Sequence, residues 1–226
     1  MEILERYEDV LRPDWLVPVL FFLLLLLALV RIFGRERLML ITRSVTRPRI
    51  SRQEVREMSD SFDIGYIGLW VIMVFTLGLF LYQELTIRSI SPFGLGHLFT
   101  YLVLCGMIAL YFVGKFIFIK LSIFLFGEDH GGMEYYYNTF MLFALVGVAL
   151  LPMVIFRAYV QWYPHIVFII GGVIVCAALF YQWGRGWIIA SANGVKPSYI
   201  ILYFCVLEIL PIAIIAKHST EFVFDW

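Results

Sequence analysis

The tightest constraint on this chain is a repeated one: six stretches of roughly twenty residues in which charged side chains are almost absent. A helix advances about 1.5 Å per residue and needs about 20 mostly apolar residues to cross a hydrocarbon core of roughly 30 Å. Segments 15–33, 64–82, 98–114, 137–156, 165–181 and 198–216 meet or approach that requirement. The first is built on a run from Phe21 to Leu27 and carries Arg31 near its end. The third is short, and its apolar character continues past Lys115 and Lys120 to Phe126, so hydropathy leaves its end open. The fourth contains Pro152 and the sixth contains Glu208 and Pro211, prolines that kink a helix. Runs this uniform match helices, whose backbone groups pair internally, and not the alternating strands of a barrel. The fold class is therefore all-α, a polytopic membrane helical bundle of about six transmembrane helices.

Composition agrees. Apolar residues make up 62% and charged residues 15%, against about 45–50% and about 25% in soluble domains. Seventeen basic and seventeen acidic side chains cancel, so no basic excess points to a nucleic-acid partner. An acidic segment with Glu2, Glu5, Glu8, Asp9 and Asp14 precedes the first run. With no small-residue cleavage site after it, that run reads as a retained anchor and not a removable signal. Cys105, Cys176 and Cys205 each lie inside an apolar run without a metal or redox spacing, and are expected to be buried small hydrophobes.

The charges also give a direction. Arg31, Arg35, Arg37, Arg43, Arg47, Arg49, Arg52 and Arg56 follow the first span, whereas the tail before it has only Arg6 and Arg12. Basic residues in short loops stay cytoplasmic. Six spans then place twelve Lys and Arg inside, with Lys115, Lys120, Arg185 and Lys196 joining those eight arginines, and five outside, namely Arg6, Arg12, Arg88, Arg157 and Lys217, with both termini external. The predicted organisation is an external tail 1–14, a first span 15–33, a cytoplasmic arginine-rich loop 34–63, a five-helix membrane bundle 64–216 and an external tail 217–226. Within the loop, Ser51-Arg52-Gln53-Glu54 fits a helix capping box. Arg43, Arg47, Arg49, Arg52 and Arg56 are expected to meet anionic lipid headgroups, at about 1 kcal/mol each, or alternatively an acidic partner or a phosphorylated ligand.

An ionisable group inside hydrocarbon is costly, so Glu208, ten residues into the sixth span, is the leading candidate for a functional site. Pro211 frees the carbonyl of Leu207 beside it, which is how transporters build cation sites, while the plainer role is locking two helices together. Lys115 is expected to snorkel, or to pair with Glu208 if the third and sixth helices are neighbours. Lys115 and Lys120 lie roughly 140° apart around one helix and do not share a face. The turn Gly127 to Glu134 holds Glu128, Asp129 and His130, which reads as an exposed turn more than a metal site. Tyr135, Tyr136, Tyr137 and Asn138 read as an interfacial aromatic belt, and Gly171-Gly172 as close helix packing. His97, His165 and His218 could meet with Glu84, Glu221 or Asp225, but no metal spacing joins them. There is no GxSxG elbow, P-loop or GxGxxG start, so no cofactor is expected.

The string Ile201-Leu202-Tyr203-Phe204-Cys205-Val206-Leu207-Glu208-Ile209-Leu210-Pro211 resembles the C-terminal signature of a Bacteroidetes inner-membrane family, domain of unknown function 4271. Tyr111 to Lys115, Leu125-Phe126-Gly127, Glu134, Tyr137 to Phe140, Gly147 and Leu150-Leu151-Pro152 look like it too. The resemblance implies a bacterial inner membrane and no particular reaction. It selects Lys115, Glu134, Asn138, Glu208 and Pro211. The function expected is a non-enzymatic component or scaffold of a membrane assembly, in contact with lipids and with partner membrane proteins or further copies of itself. The alternatives are a small transporter or lipid-handling protein using Glu208, and an intramembrane enzyme on a lipid-linked substrate.

Overall fold

The computed structural model describes residues 13–33, 64–87, 96–126, 132–159 and 164–192, with residues 194 and 205 singly. Five helices make up these segments: α1 (Leu16–Phe33), α2 (Ile64–Ile87), α3 (His97–Phe126), α4 (Gly132–Tyr159) and α5 (Pro164–Ala192). No strand occurs among the described residues, as the uniform apolar runs require. Four helices, α2 to α5, are long and apolar enough to cross a membrane, while α1 is a shorter apolar helix. The described residues thus carry fewer than the six predicted spans. The sixth, the arginine-rich loop 34–63 and the tail 217–226 lie outside them.

The first helix begins one residue inside its predicted segment, and the other four cover theirs and run further. The third continues unbroken through Lys115 and Lys120 to Phe126. The fourth, predicted over 137–156, starts at Gly132 and ends at Tyr159, passing through Pro152, whose ring lies on an exposed face. The fifth, predicted over 165–181, runs to Ala192. Hydropathy marks where side chains turn polar. A helix stops only where its last carbonyls find other partners, so Gln83, Glu84, Arg157, Gln182 and Arg185 fall inside helices and not in loops.

The interior is the pair α2 and α4, whose most apolar stretches are 67% and 61% buried, against 22% for α3 and 17% for α5. Around it, α1 and α3 pack on α2, and α5 packs on α4. Without a hydrophobic drive between helices in lipid, close van der Waals approach has to supply the attraction. Gly147 supplies it at the centre: a Cβ there would stand 2.8 Å from the Met73 Cα on α2. Gly171 does the same for α5, where a Cβ would meet the Phe80 ring at 2.5 Å, as predicted, whereas Gly172, predicted to pack with it, has nothing within 4 Å. At one end of the bundle Trp15 stacks on Tyr101 at 5.2 Å and meets Tyr82 edge-on at 5.1 Å, tying the start of α1 to α2 and α3. The cysteines depart from expectation: Cys105 is buried, but Cys176 and Cys205 are exposed. The apolar run around Cys176 exposes a face that a water-soluble protein would cover.

Candidate intramembrane polar site

Two groups of polar side chains are built into the bundle, at opposite ends of α4. The first joins α3, α4 and α5. Tyr135 and Asn138 are three residues apart on α4, Gln182 and Arg185 three apart on α5, and that spacing puts each pair on one helix face. The two faces meet. Gln182 Nε2 donates to the Tyr135 hydroxyl at 2.8 Å, and Arg185 Nη2 donates to Asn138 Oδ1 at 3.1 Å. From α3, Lys115 Nζ donates to the same Tyr135 hydroxyl at 3.3 Å and lies 4.6 Å from the centre of its ring, a cation–π distance. Lys115 is 2% exposed and Arg185 7%. The cluster therefore holds two cationic heads away from water.

Not every polar atom there is matched. Asn138 Nδ2, Thr139 Oγ1, Gln182 Oε1 and Arg185 Nε are buried without a hydrogen-bond partner among the described residues. A buried orphan donor or acceptor costs about 1–3 kcal/mol.

The second group lies where α2 ends and α4 ends. Arg157 Nη2 donates to Glu84 Oε2 at 2.7 Å, with side-chain exposures of 1% and 15%. The guanidinium also stands 5.1 Å from the centre of the Phe168 ring on α5. Beside it, Gln83 Nε2 donates to the Val154 carbonyl at 3.0 Å.

The predicted site residues distribute as follows. Lys115 and Asn138 belong to the first cluster, and Glu134 occupies the first turn of α4, next to Tyr135, where a carboxylate suits the helix N-terminus. Glu208, Pro211, Arg43, Arg47, Arg49, Arg52 and Arg56 lie outside the described residues. Several expectations are corrected. Lys115 does not snorkel, because Tyr135 gives its ammonium a partner within the bundle, while exposed Lys120 lies over the Phe116 ring at 5.7 Å. Tyr135 and Asn138 are buried and not part of an interfacial belt. Arg157 and Arg185, read from sequence as loop charges that report topology, are buried in helices. Glu84, read as a possible partner of the histidines, pairs with Arg157, and the side chains of His165 and His218 lie outside those described.

Sequence reasoning missed Tyr135, Gln182, Arg185, Gln83 and Arg157 as site residues. One signal was available. Each is a polar side chain within a turn or two of an apolar run, at helical spacing from another. The first cluster offers positive charge and hydrogen-bond donors. Among the described residues no group of His, Cys, Asp and Glu could hold a metal ion.

A bundle of long apolar helices tied together by buried polar pairs is compatible with a polytopic membrane protein. The chain belongs to the family described as domain of unknown function (DUF4271), whose model matches residues 16–218. No curated protein and no solved structure matches it.

Proposed function

We propose that this protein is a six-span component of the bacterial cytoplasmic membrane, with its N-terminus outside and its arginine-rich loop 34–63 inside, and that it serves as a non-catalytic part of a membrane assembly. The observation that carries this reading is how the described polar groups are used. Arg157 with Glu84, Gln83 with the Val154 carbonyl, Arg185 with Asn138, and Lys115 and Gln182 with Tyr135 each join one helix to another. Side chains that hold helices in register support a fixed body more than a moving carrier. The largely uncovered apolar sides of α3 and α5 are surfaces for lipid, for partner helices or for a second copy. The loop arginines add contact with anionic headgroups.

Purification of the full chain in mild detergent tests this. A stable complex with another membrane protein, or a defined oligomer, is the expected result. Recovery always as a lone monomer contradicts the assembly role.

A second reading, a small transporter or lipid-handling protein using Glu208, is favoured by the two buried cations Lys115 and Arg185. It expects Glu208→Gln to abolish the cellular phenotype while leaving complex assembly intact.

A further inference from the structure

We propose that the open cavity where α1 and α3 begin binds the headgroup of an aminophospholipid, with its ammonium on Asp14 and the neighbouring aromatic rings and its phosphate on His97. The inference needs only that these helices cross a membrane; neither the assembly role nor the number of crossings bears on it.

Two helix starts meet at this place. Pro13-Asp14-Trp15 leads into α1, and Gly96 leads into α3, whose first residue is His97. Between them lies a cavity of about 560 Å³ with a mainly apolar lining and with Asp14, Trp15, His97, Leu98 and Phe99 in its wall. Ligand pockets span roughly 300–1,000 Å³. The wall is held from behind. Trp15 stacks on Tyr101 at 5.2 Å and meets Tyr82 edge-on at 5.1 Å, and Tyr82 meets the His97 ring edge-on at 6.3 Å. Both tyrosines are buried, so the core of the bundle fixes the two sides of the cavity relative to each other.

The side chains at its mouth have complementary chemistry. Asp14 and His97 are exposed, and among the described residues no cation pairs with Asp14. A carboxylate beside the rings of Trp15 and Phe99 suits an ammonium, which both its charge and the ring quadrupoles attract. Across the cavity, His97 supplies a donor at the positive end of α3, whose first turn holds no acidic residue, and that suits a phosphate. An ethanolamine-type headgroup carries both groups.

The surroundings favour a lipid over a soluble amine. α1 and α3 each pack on α2 and barely on one another. The glycines of α2 set both contacts: a Cβ on Gly68 would stand 2.6 Å from Val30 of α1, and one on Gly78 2.5 Å from Cys105 of α3. Next to the cavity, Val17 and Phe21 of α1 and Phe99 and Leu102 of α3 are exposed. They offer acyl chains an apolar surface that leads from the headgroup into the hydrocarbon.

The test uses the full chain in detergent micelles that hold equal amounts of phosphatidylethanolamine and phosphatidylglycerol, with retained lipid counted by native mass spectrometry. The glycerol lipid has the phosphate and the chains but no ammonium. The ethanolamine lipid is expected to be retained about tenfold over it, a factor equal to about 1.4 kcal/mol; equal retention, or the reverse preference, overturns the site. This comparison needs no variant, so it stands even where a substitution prevents folding. Asp14→Asn and Phe99→Leu, both at exposed positions, are expected to reduce the preference severalfold, and Lys120→Gln, far along α3, to keep it. A preference that survives Asp14→Asn, or falls equally in Lys120→Gln, overturns the assignment. His97→Phe is expected to lower retention of both lipids, and unchanged retention there overturns the phosphate contact. Excess O-phosphoethanolamine, which lacks the chains, is expected to displace no lipid; displacement overturns the lipid as occupant.

Discussion

Arg157 Nη2 lies 2.7 Å from Glu84 Oε2, and that ion pair fastens the end of α4 to the end of α2, 73 residues away in sequence. The two partners are unequal, since Arg157 is 1% exposed at its side chain and Glu84 15%. Removing the acid strands a guanidinium in the bundle, whereas removing the base leaves a carboxylate that reaches water. Glu84→Leu is therefore expected to lower unfolding stability in micelles by about 3–5 kcal/mol, and Arg157→Leu by less. Equal or reversed losses would show that the pair does not sit as described.

Tyr135 makes a sharper contrast with its neighbours. Its hydroxyl accepts from both Lys115 and Gln182, so Tyr135→Phe removes two hydrogen bonds, one of them from a cation, and is expected to cost about 1–3 kcal/mol. Tyr137→Phe, whose ring packs on Tyr136 at 5.8 Å, is expected to change stability by no more than about 0.5 kcal/mol. Thermal unfolding of the two variants side by side checks this.

Two glycines predict opposite outcomes for the same substitution. Gly147→Ala places a methyl 2.8 Å from the Met73 backbone, which forces α2 and α4 apart and is expected to cost about 1–3 kcal/mol. Gly172→Ala meets nothing within 4 Å and is expected to be neutral or to stabilise by up to about 1 kcal/mol through helix propensity. The same unfolding assay measures both.

How much of this was legible in the sequence depends on the signal involved. Apolar runs located all five described helices, because in lipid a long uncharged stretch has one backbone solution. Their ends were not legible, since helices pass through Arg157 and Arg185, where hydropathy falls. Lys115 and Asn138 stood out in the sequence, Lys115 as an ionisable group beside an apolar run and Asn138 through the family motif, and both lie in the polar cluster. Arg185 and Arg157 were treated as loop charges because the partners that make their burial tolerable, Asn138 and Glu84, are 47 and 73 residues away. Tyr135 was hidden differently: in a run of three tyrosines, sequence cannot say which ring turns inward. That depended on how α4 faces α3 and α5.

The most direct test of the account is a topology map, since the proposed function depends on six crossings. Single cysteines placed in the loop 34–63 and in the tail 217–226 can be probed with an impermeant maleimide in intact cells. The account predicts a tail that labels and a loop that labels only after the membrane is opened. A loop that labels from outside would contradict it.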